Sequence, residues 1–376
     1  MPGKKRKEQV TNQQERPAAA GIPFDPGRVG RILIIKLRAV GDVVLSTIVI
    51  DNLRRAFPAA VIDFLTEAAA RDVVSGHAQL DHILIHERAA IAGLGIRDQL
   101  KANLAFLQRV RGCRYDLVFD FFGNPRSALI TRWSGAAWRV GYDYRIRRRA
   151  YNVVVASRAD QVHEAEWHLD ALIHLGIPVV SRQLSLAGSE AAEARAGAFW
   201  REAELEGKRV VALNFSGGWP AKRWPLERFA ELAGLVAGRH DAHLLAVWGP
   251  GELAQAQALA AMAAVPVTLI PETNLKELAA LLGRVDLLVS TDSGPMHIAA
   301  AMGTPCVALF GPTNYRLQGP WGSNHQIVTN SGLGCLGCNR TACDHTSCMQ
   351  GLTVEAVLAG VDRALAYLPR RRKERR

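Results

Sequence analysis

No stretch of this sequence approaches the roughly 18 to 20 consecutive uncharged apolar residues that a bilayer-spanning helix requires. The first 20 residues carry a basic run without the apolar core of a secretory signal, so the expectation is a cytoplasmic protein. Cysteine is scarce, six in 376 residues, and a cytoplasmic setting argues against disulfides. Without a secretory signal, the Asn-Phe-Ser and Asn-Arg-Thr sequons have no glycosylation meaning. The paired histidines of a zinc protease helix are also missing. His163 and His168 are five residues apart, which sets them about 140° apart on a helix. Gly332 to Gly337 fits a dinucleotide-type glycine spacing, but it lies in a cysteine-rich loop and opens no helix.

What the chain does have is the composition of an ordinary globular protein of more than one domain, 49% hydrophobic and 22% charged. Its net charge of +11 is unevenly placed. Residues 1–16 hold five basic against two acidic residues, and 370–376 hold six against one, so only +3 remains on the 353 residues between. Short basic tails of this kind are expected to be solvated and disordered, or to be drawn loosely to an anionic inner-leaflet surface. No stripe of basic and aromatic residues within the body points to nucleic acid.

Apolar runs alternate with helix-length amphipathic segments, the pattern of a parallel sheet covered by helices. The alternation occurs twice. Runs begin at residues 31, 61, 81 and 115, and again at 209, 243, 267, 286 and 305. Between the two sets lies a Pro- and Ser-containing break at 178–185, which places a domain boundary there. The expected class is α/β, with two Rossmann-like doubly wound domains facing a central cleft. The expected division is a tail at 1–27, a first domain at 28–185, a second at 186–351, a final helix at 352–368 and a tail at 369–376. Ligands of such sheets bind beyond the carboxyl ends of the strands, so the residues just after each strand are informative.

After the first strand come Gly41, which allows a tight turn, and Asp42, at the first turn of a helix. Asp42 is either a helix cap or a carboxylate at the cleft mouth that can serve as a general base. The first strand of the second set runs into Ser216, Gly217 and Gly218, followed by Lys222 and a helix from about Pro225. This is a plain small-residue turn or one whose amides approach phosphate while Lys222 neutralises it; it is not a Walker sequence. A further strand end gives Asp292, Ser293 and Gly294, then a helix opening with Pro295, Met296 and His297, whose free amides can hold an anion. Glu252, after another strand, can accept hydrogen bonds from ribose hydroxyls.

These residues together resemble family-nine glycosyltransferases, known for ADP-heptose:lipopolysaccharide heptosyltransferases. The resemblance spans about residues 31 to 368. It rests on Gly41-Asp42, the Lys-Arg-Trp-Pro at 222–225, the block from Asp292 to Thr313, and the ending from Cys348 through Leu352-Thr353-Val354-Glu355. It implies the GT-B fold, with the acceptor half first, the nucleotide-sugar half second, and the last helix returning to the first half. It also implies an inverting transfer of heptose from ADP-L-glycero-D-manno-heptose to the lipopolysaccharide inner core. In that reaction Asp42 is the base, and Lys222, with Ser216 and Gly217, stabilises the leaving diphosphate. Asp292, Ser293, Gly294, Met296 and His297 hold the pyrophosphate, and Glu252 contacts the nucleoside. The chain contains no Asp-x-Asp pair, in keeping with a transferase that requires no metal cofactor. Ser216 departs from the proline expected before the glycine.

Arg126, Arg139, Arg145 and Arg147 are candidates for meeting an anionic glycolipid acceptor, or are a solvated basic face. Cys335, Cys338, Cys343 and Cys348 have a spacing that can close a structural zinc site, or they stay reduced thiols. Two alternatives remain open: a transferase of the same fold with another nucleotide sugar or surface glycan, and a non-catalytic sugar-nucleotide-binding protein.

Overall fold

The computed structural model describes residues 23–143 and 145–366; the side chains of Arg145 and Ile146 lie outside that description, as do both basic tails at 1–22 and 367–376. Twelve strands form two sheets. The first contains β1 (Arg31–Ile35), β2 (Val61–Glu67), β3 (His82–His86), β4 (Leu117–Asp120), β5 (Trp138–Tyr142) and β6 (Val153–Val155). The second contains β7 (Arg209–Asn214), β8 (Ala242–Val247), β9 (Val267–Leu269), β10 (Leu287–Thr291), β11 (Cys306–Phe310) and β12 (Gln326–Thr329). All pairings are parallel, in the orders β3-β2-β1-β4-β5-β6 and β12-β11-β10-β7-β8-β9. The second order repeats the first when counted from β7. Each sheet therefore has its topological switch point beside its own first strand, between β1 and β4 and between β7 and β10.

The central strands are apolar on both faces because helices cover both faces. Ile32, Leu33, Ile34 and Ile35 of β1 are all fully buried, as are Leu287, Leu288 and Val289 of β10. Strands β5, β6 and β12 did not stand out in the sequence: β6 and β12 are edge strands of three and four residues, and in β5, which lies between β4 and β6, Arg139 and Gly141 interrupt the apolar run. One face of the first sheet packs under the helices Ile96–Gly112 and Pro125–Ser134, forming a cluster around Leu33, Ile35, Val110 and Val118. The other face shares one continuous core with the second half, reaching Leu278, Met296, Ile298 and Ala299. Residues 178–189 contain no helix or strand, and buried Asn52 holds this connection against the first half. Its Oδ1 accepts the amides of Val180 and Ser181, while its Nδ2 donates to the carbonyl of Ser181.

One expectation is corrected here. The final helix, Val354–Ala366, does not return to the first half; it packs on the second sheet against β10, β11, β12 and the helix Leu226–His240. The reason is its apolar stripe: Val354, Val357, Leu358, Val361 and Leu365 sit in the core cluster of the second half. Gly360 permits the approach, since a Cβ there would meet Val328 at 3.0 Å and Val307 at 3.1 Å. Leu358→Ala should accordingly cost about 2–5 kcal/mol in urea unfolding, whereas Leu235→Ala, on an exposed position, should stay within about 0.5 kcal/mol.

Candidate active site

Asp42 lies in the first turn of the helix Val40–Ser46, immediately beyond β1. Its Oδ2 accepts the Ala39 amide at 3.2 Å, so the capping role is real. The capping role leaves Oδ1 for another proton donor. Gly41 turns out to serve a close approach rather than a turn. A Cβ at this position would fall 2.5 Å from Cδ2 of His297 in the other half, and one on Gly294 would meet Val40 at 3.3 Å. The glycines at 41 and 294 thus let the Val40–Ser46 and Gly294–Ala301 helices touch, joining the two motif regions directly.

Behind Asp42 lies a buried charge cluster. Lys36, just past β1, is almost wholly inaccessible; its Nζ donates to Glu164 Oε1 at 2.6 Å and to the Phe121 carbonyl at 3.1 Å. It also lies 3.5 Å from Nε2 of His168. Glu164 and His168 are one turn apart on the helix Glu164–His174, and that spacing brings both to Lys36. Burial works against every charge in this cluster, but Glu164, Asp42 and Asp120 hold the Lys36 ammonium above its usual range. Lys36 and His168 in turn overcome burial at Glu164 and draw it down to about 2. Burial and the neighbouring lysine depress His168 to about 3, so its ring is neutral. At Asp42, burial and the Glu164 charge outweigh Lys36 and the Ala39 amide, and the carboxyl is lifted to about 6. Neither Lys36 nor the Glu164 pair stood out in the sequence. A lysine ending an apolar strand and a Glu-x-x-x-His helix turn were the available signals.

In the second half, the turn after β7 packs tightly: a Cβ on Gly217 would be 3.1 Å from Arg223 and 3.4 Å from Lys222. Trp224 anchors this segment, with its ring in the core and its Nε1 donating to the Leu352 carbonyl at 2.9 Å. Lys222 is thereby held at the cleft, its Nζ 2.7 Å from Asp292 Oδ2 and 4.2 Å from the centre of the Trp219 ring. Thr313 donates to the same Asp292 oxygen at 2.5 Å. Asp292 is therefore the partner that positions Lys222. Ser216, where a proline was expected, donates to Glu252 Oε2 at 2.5 Å, and the Gly249 amide donates to the same oxygen at 2.9 Å. None of the described hydrogen bonds uses Glu252 Oε1.

Ser293 precedes the Gly294–Ala301 helix but does not cap it. Its hydroxyl receives Asn214 Nδ2 at 2.7 Å and donates to the Thr291 carbonyl at 3.2 Å. The helix amides stay without a side-chain acceptor, the arrangement that favours an anion. The Met296 side chain is fully buried in the core, so only its backbone is at this end. His297 is buried, and burial lowers its pKa to about 4, so its ring is uncharged at neutral pH. His163, set aside in the sequence, caps its own helix by accepting the Ala165 amide, and its Nε2 donates to the Gly319 carbonyl across the halves at 2.9 Å.

The remaining candidates are more dispersed. Arg126 pairs with Glu67 at 3.2 Å near the carboxyl end of β2. Arg139 is committed to the carbonyls of Ala136 and Ala150, at 2.6 and 3.0 Å. The side chain of Arg145 lies outside the described residues; Arg147 is exposed. Cys335, Cys338, Cys343 and Cys348 line one cavity of about 120 Å³ with Ala221, Pro312, Arg340 and His345. Among the described residues no three His, Cys, Asp or Glu side chains are set close enough together to hold a metal ion.

Residues 103–348 match the profile of Glycosyltransferase family 9 (heptosyltransferase). The chain is 26% identical over 330 residues to lipopolysaccharide heptosyltransferase 1 of Pseudomonas aeruginosa, covering 84% of this chain and 88% of that relative. A glycosyl transferase family 9 structure from Veillonella parvula superposes with a TM-score of 0.79 at 22% identity, over 93% and 99% of the two chains. The Escherichia coli heptosyltransferase WaaC with ADP-2-deoxy-2-fluoro heptose gives 0.67 at 23% identity, over 89% and 99%. The two facing sheets are those of the GT-B fold.

The carboxyl of Asp42 makes a paired prediction. Because its folded pKa is raised from 3.8 to about 6, the native state binds the proton more tightly, and this group's contribution to stability falls as pH rises through that window. Asp42→Asn should therefore melt higher than the parent at pH 8 and lose that advantage at pH 4, in thermal scans. Glu164 acts in the opposite direction: its stabilisation is present above about 4.5 and lost as pH falls towards 2.

Proposed function

The chain belongs to glycosyltransferase family 9, and from that premise we propose that it transfers a heptose from ADP-L-glycero-D-manno-heptose to the lipopolysaccharide inner core with inversion at the anomeric carbon. The observation that carries the reading is the contact of Gly41 with His297, which sets the base candidate Asp42 beside the donor-half anion site.

Asp42, once ionised, accepts the proton of the acceptor hydroxyl as that oxygen forms its bond to the anomeric carbon. The bond from that carbon to the diphosphate breaks, and ADP departs with the electron pair. The charge growing on the diphosphate is met by the Lys222 ammonium and by the free amides at Gly294, Met296 and His297. Lys222 exchanges its ion pair with Asp292 for the diphosphate, while Asp292 and Thr313 keep it within reach. Glu252, steadied by Ser216 and Gly249, offers Oε1 to a ribose hydroxyl. The positive charge this requires comes from the chain itself, so the reaction as drawn needs no metal cofactor. A base lifted to about 6 remains mostly ionised at neutral pH yet holds a proton better than an ordinary aspartate.

The acceptor is an anionic glycolipid, and Arg126, on the rim of the first half, is the candidate to meet it. The expected setting is the cytoplasm, at the inner face of the membrane. No described helix is long and apolar enough to cross a bilayer.

The test is ADP release from ADP-heptose with deacylated inner-core lipopolysaccharide, with GDP- and UDP-sugars as controls. Turnover is expected with ADP-heptose alone, and Asp42→Asn or Lys222→Ala should lower kcat by about 10²–10³-fold. The kcat of the parent should drop about tenfold per pH unit below about 6, following the Asp42 carboxyl. Full activity in Asp42→Asn would remove the base assignment, and thermal stabilisation by ADP without turnover would favour a nucleotide-binding protein.

A further inference from the structure

Six of the thirteen large apolar side chains exposed among the described residues fall between residues 94 and 133. Ile96, Leu100 and Leu104 recur at four-residue intervals on the Ile96–Gly112 helix, with Ile96 and Leu100 exposed to 78% and 67%. This spacing lines them along one face. Leu94 lies just ahead of that helix, and Leu129 and Trp133 are one turn apart on the Pro125–Ser134 helix packed against it. Arg111 ties the two helices by donating to the Trp133 carbonyl at 3.3 Å. Contiguous apolar exposure of this kind marks an interaction surface rather than ordinary scatter.

The charge around it is predominantly positive. Residues 88–114 hold six Arg or Lys and a single acid, Asp98. The body of the chain between the tails carries only +3 in all, so this is a local concentration. On the helix, Arg97 and Lys101 stand about 60° and 100° from Leu100, along one flank of the stripe, and Asp98, further round the helix, forms an exposed ion pair with Lys101 at 3.7 Å. Arg132 and the exposed Arg147, Arg148 and Arg149 continue the basic frame, because the short helix Arg145–Ala150 packs against Pro125–Ser134.

Its position relative to the cleft is also defined. Both helices cover the face of the first sheet that points away from the second half. In a parallel sheet each returning helix begins over the carboxyl ends of the strands. Leu94, Ile96 and Leu100, after β3, and Arg126 and Leu129, after β4, therefore lie on the same rim as Asp42, after β1.

We propose that the outer face of the helices Ile96–Gly112 and Pro125–Ser134 docks on an anionic phospholipid surface, inserting Leu94, Ile96, Leu100, Leu104, Leu129 and Trp133 among the acyl chains while the surrounding arginines and lysines meet the headgroups. An exposed apolar stripe with basic flanks is the arrangement that lies in a bilayer interface. This inference rests on the glycolipid acceptor proposed above: docking by the rim of the acceptor half brings the base to the height at which a membrane-anchored sugar projects. The surface is built from residues 94–149, none of which belongs to the basic tails at 1–16 and 370–376.

The experiment is co-sedimentation of the full chain with vesicles of phosphatidylethanolamine and phosphatidylglycerol, or of phosphatidylcholine alone. It compares the parent with a variant carrying Ile96→Gln, Leu100→Gln and Leu104→Gln together. All three positions are exposed and outside the reaction site, and the tails are identical in both proteins. The parent is expected to bind the anionic vesicles, and the triple variant to bind them on the order of ten- to a hundredfold more weakly while turning over deacylated acceptor at the parent rate. Equal binding by both proteins would overturn the proposal in favour of the tails. No vesicle binding by a parent that turns over the soluble acceptor would overturn the docking surface and leave the transferase reading standing. Vesicle binding without turnover would do the reverse. Light scattering adds a further outcome: a parent dimer that the substitutions convert to monomer, with vesicle binding unchanged, would assign the face to a second copy of the chain.

Discussion

The contact between the backbone at Gly41 and the ring of His297 is the constraint on which the rest of the site depends. It occurs where the first helix of one half meets the helix following β10 of the other, and it tolerates no side chain at position 41. Both sheets place their switch points at this junction, so the residues following β1, β7 and β10 come together although they lie as much as 250 positions apart in sequence. A continuous apolar core runs beneath it from the first half into the second, so the juxtaposition is a packed interface and not an incidental touch.

Charge placement follows from this geometry. Closing apolar surface around the junction strips water from whatever polar groups remain, and the protein meets that cost by pairing. Lys36 and Glu164 neutralise each other beside a neutral His168, while Lys222 and Asp292 do the same across the cleft. Asp42 is the member of the set without a direct ion-pair partner. It has only the Ala39 amide and a lysine shared with Glu164, which is why burial prevails and its carboxyl rises to about 6. In the proposed reaction stability and reactivity oppose each other at this residue: the desolvation that makes its charged form costly also makes it a better proton acceptor.

The two halves, their strand ends and most of the residues gathered at the cleft were legible in the sequence because each rests on a local pattern. Apolar runs such as Arg31 to Leu37 are unambiguous, and Gly-Asp, Lys-Arg-Trp-Pro and Ser-Gly-Pro-Met-His announce helix beginnings. What sequence could not supply was pairing at a distance. Asp292 reads as an anion contact until the structure shows it holding Lys222, and Ser216 reads as a departure until its bond to Glu252 appears. Lys36 hid within the apolar run from Arg31 to Leu37. His163 and His168 face apart on their helix, and the spacing that brings two side chains together is that of Glu164 and His168. The last helix has an apolar stripe that would suit either half, and only the facing surface of Val307 and Val328 decides between them. The cysteine spacing suggests a metal in the abstract, and the loop gathers its four thiols around one cavity without setting three of them at a common ligand point among the described residues.

The most direct test of the account is a structure of the full chain with ADP-2-deoxy-2-fluoro-heptose bound. The account predicts diphosphate oxygens within about 3 Å of Lys222 Nζ and of the amides at Gly294 and Met296, with the anomeric carbon turned toward Asp42. A sugar nucleotide bound elsewhere, or an anomeric carbon facing away from Asp42 with the halves in contact at Gly41 and His297, would contradict it.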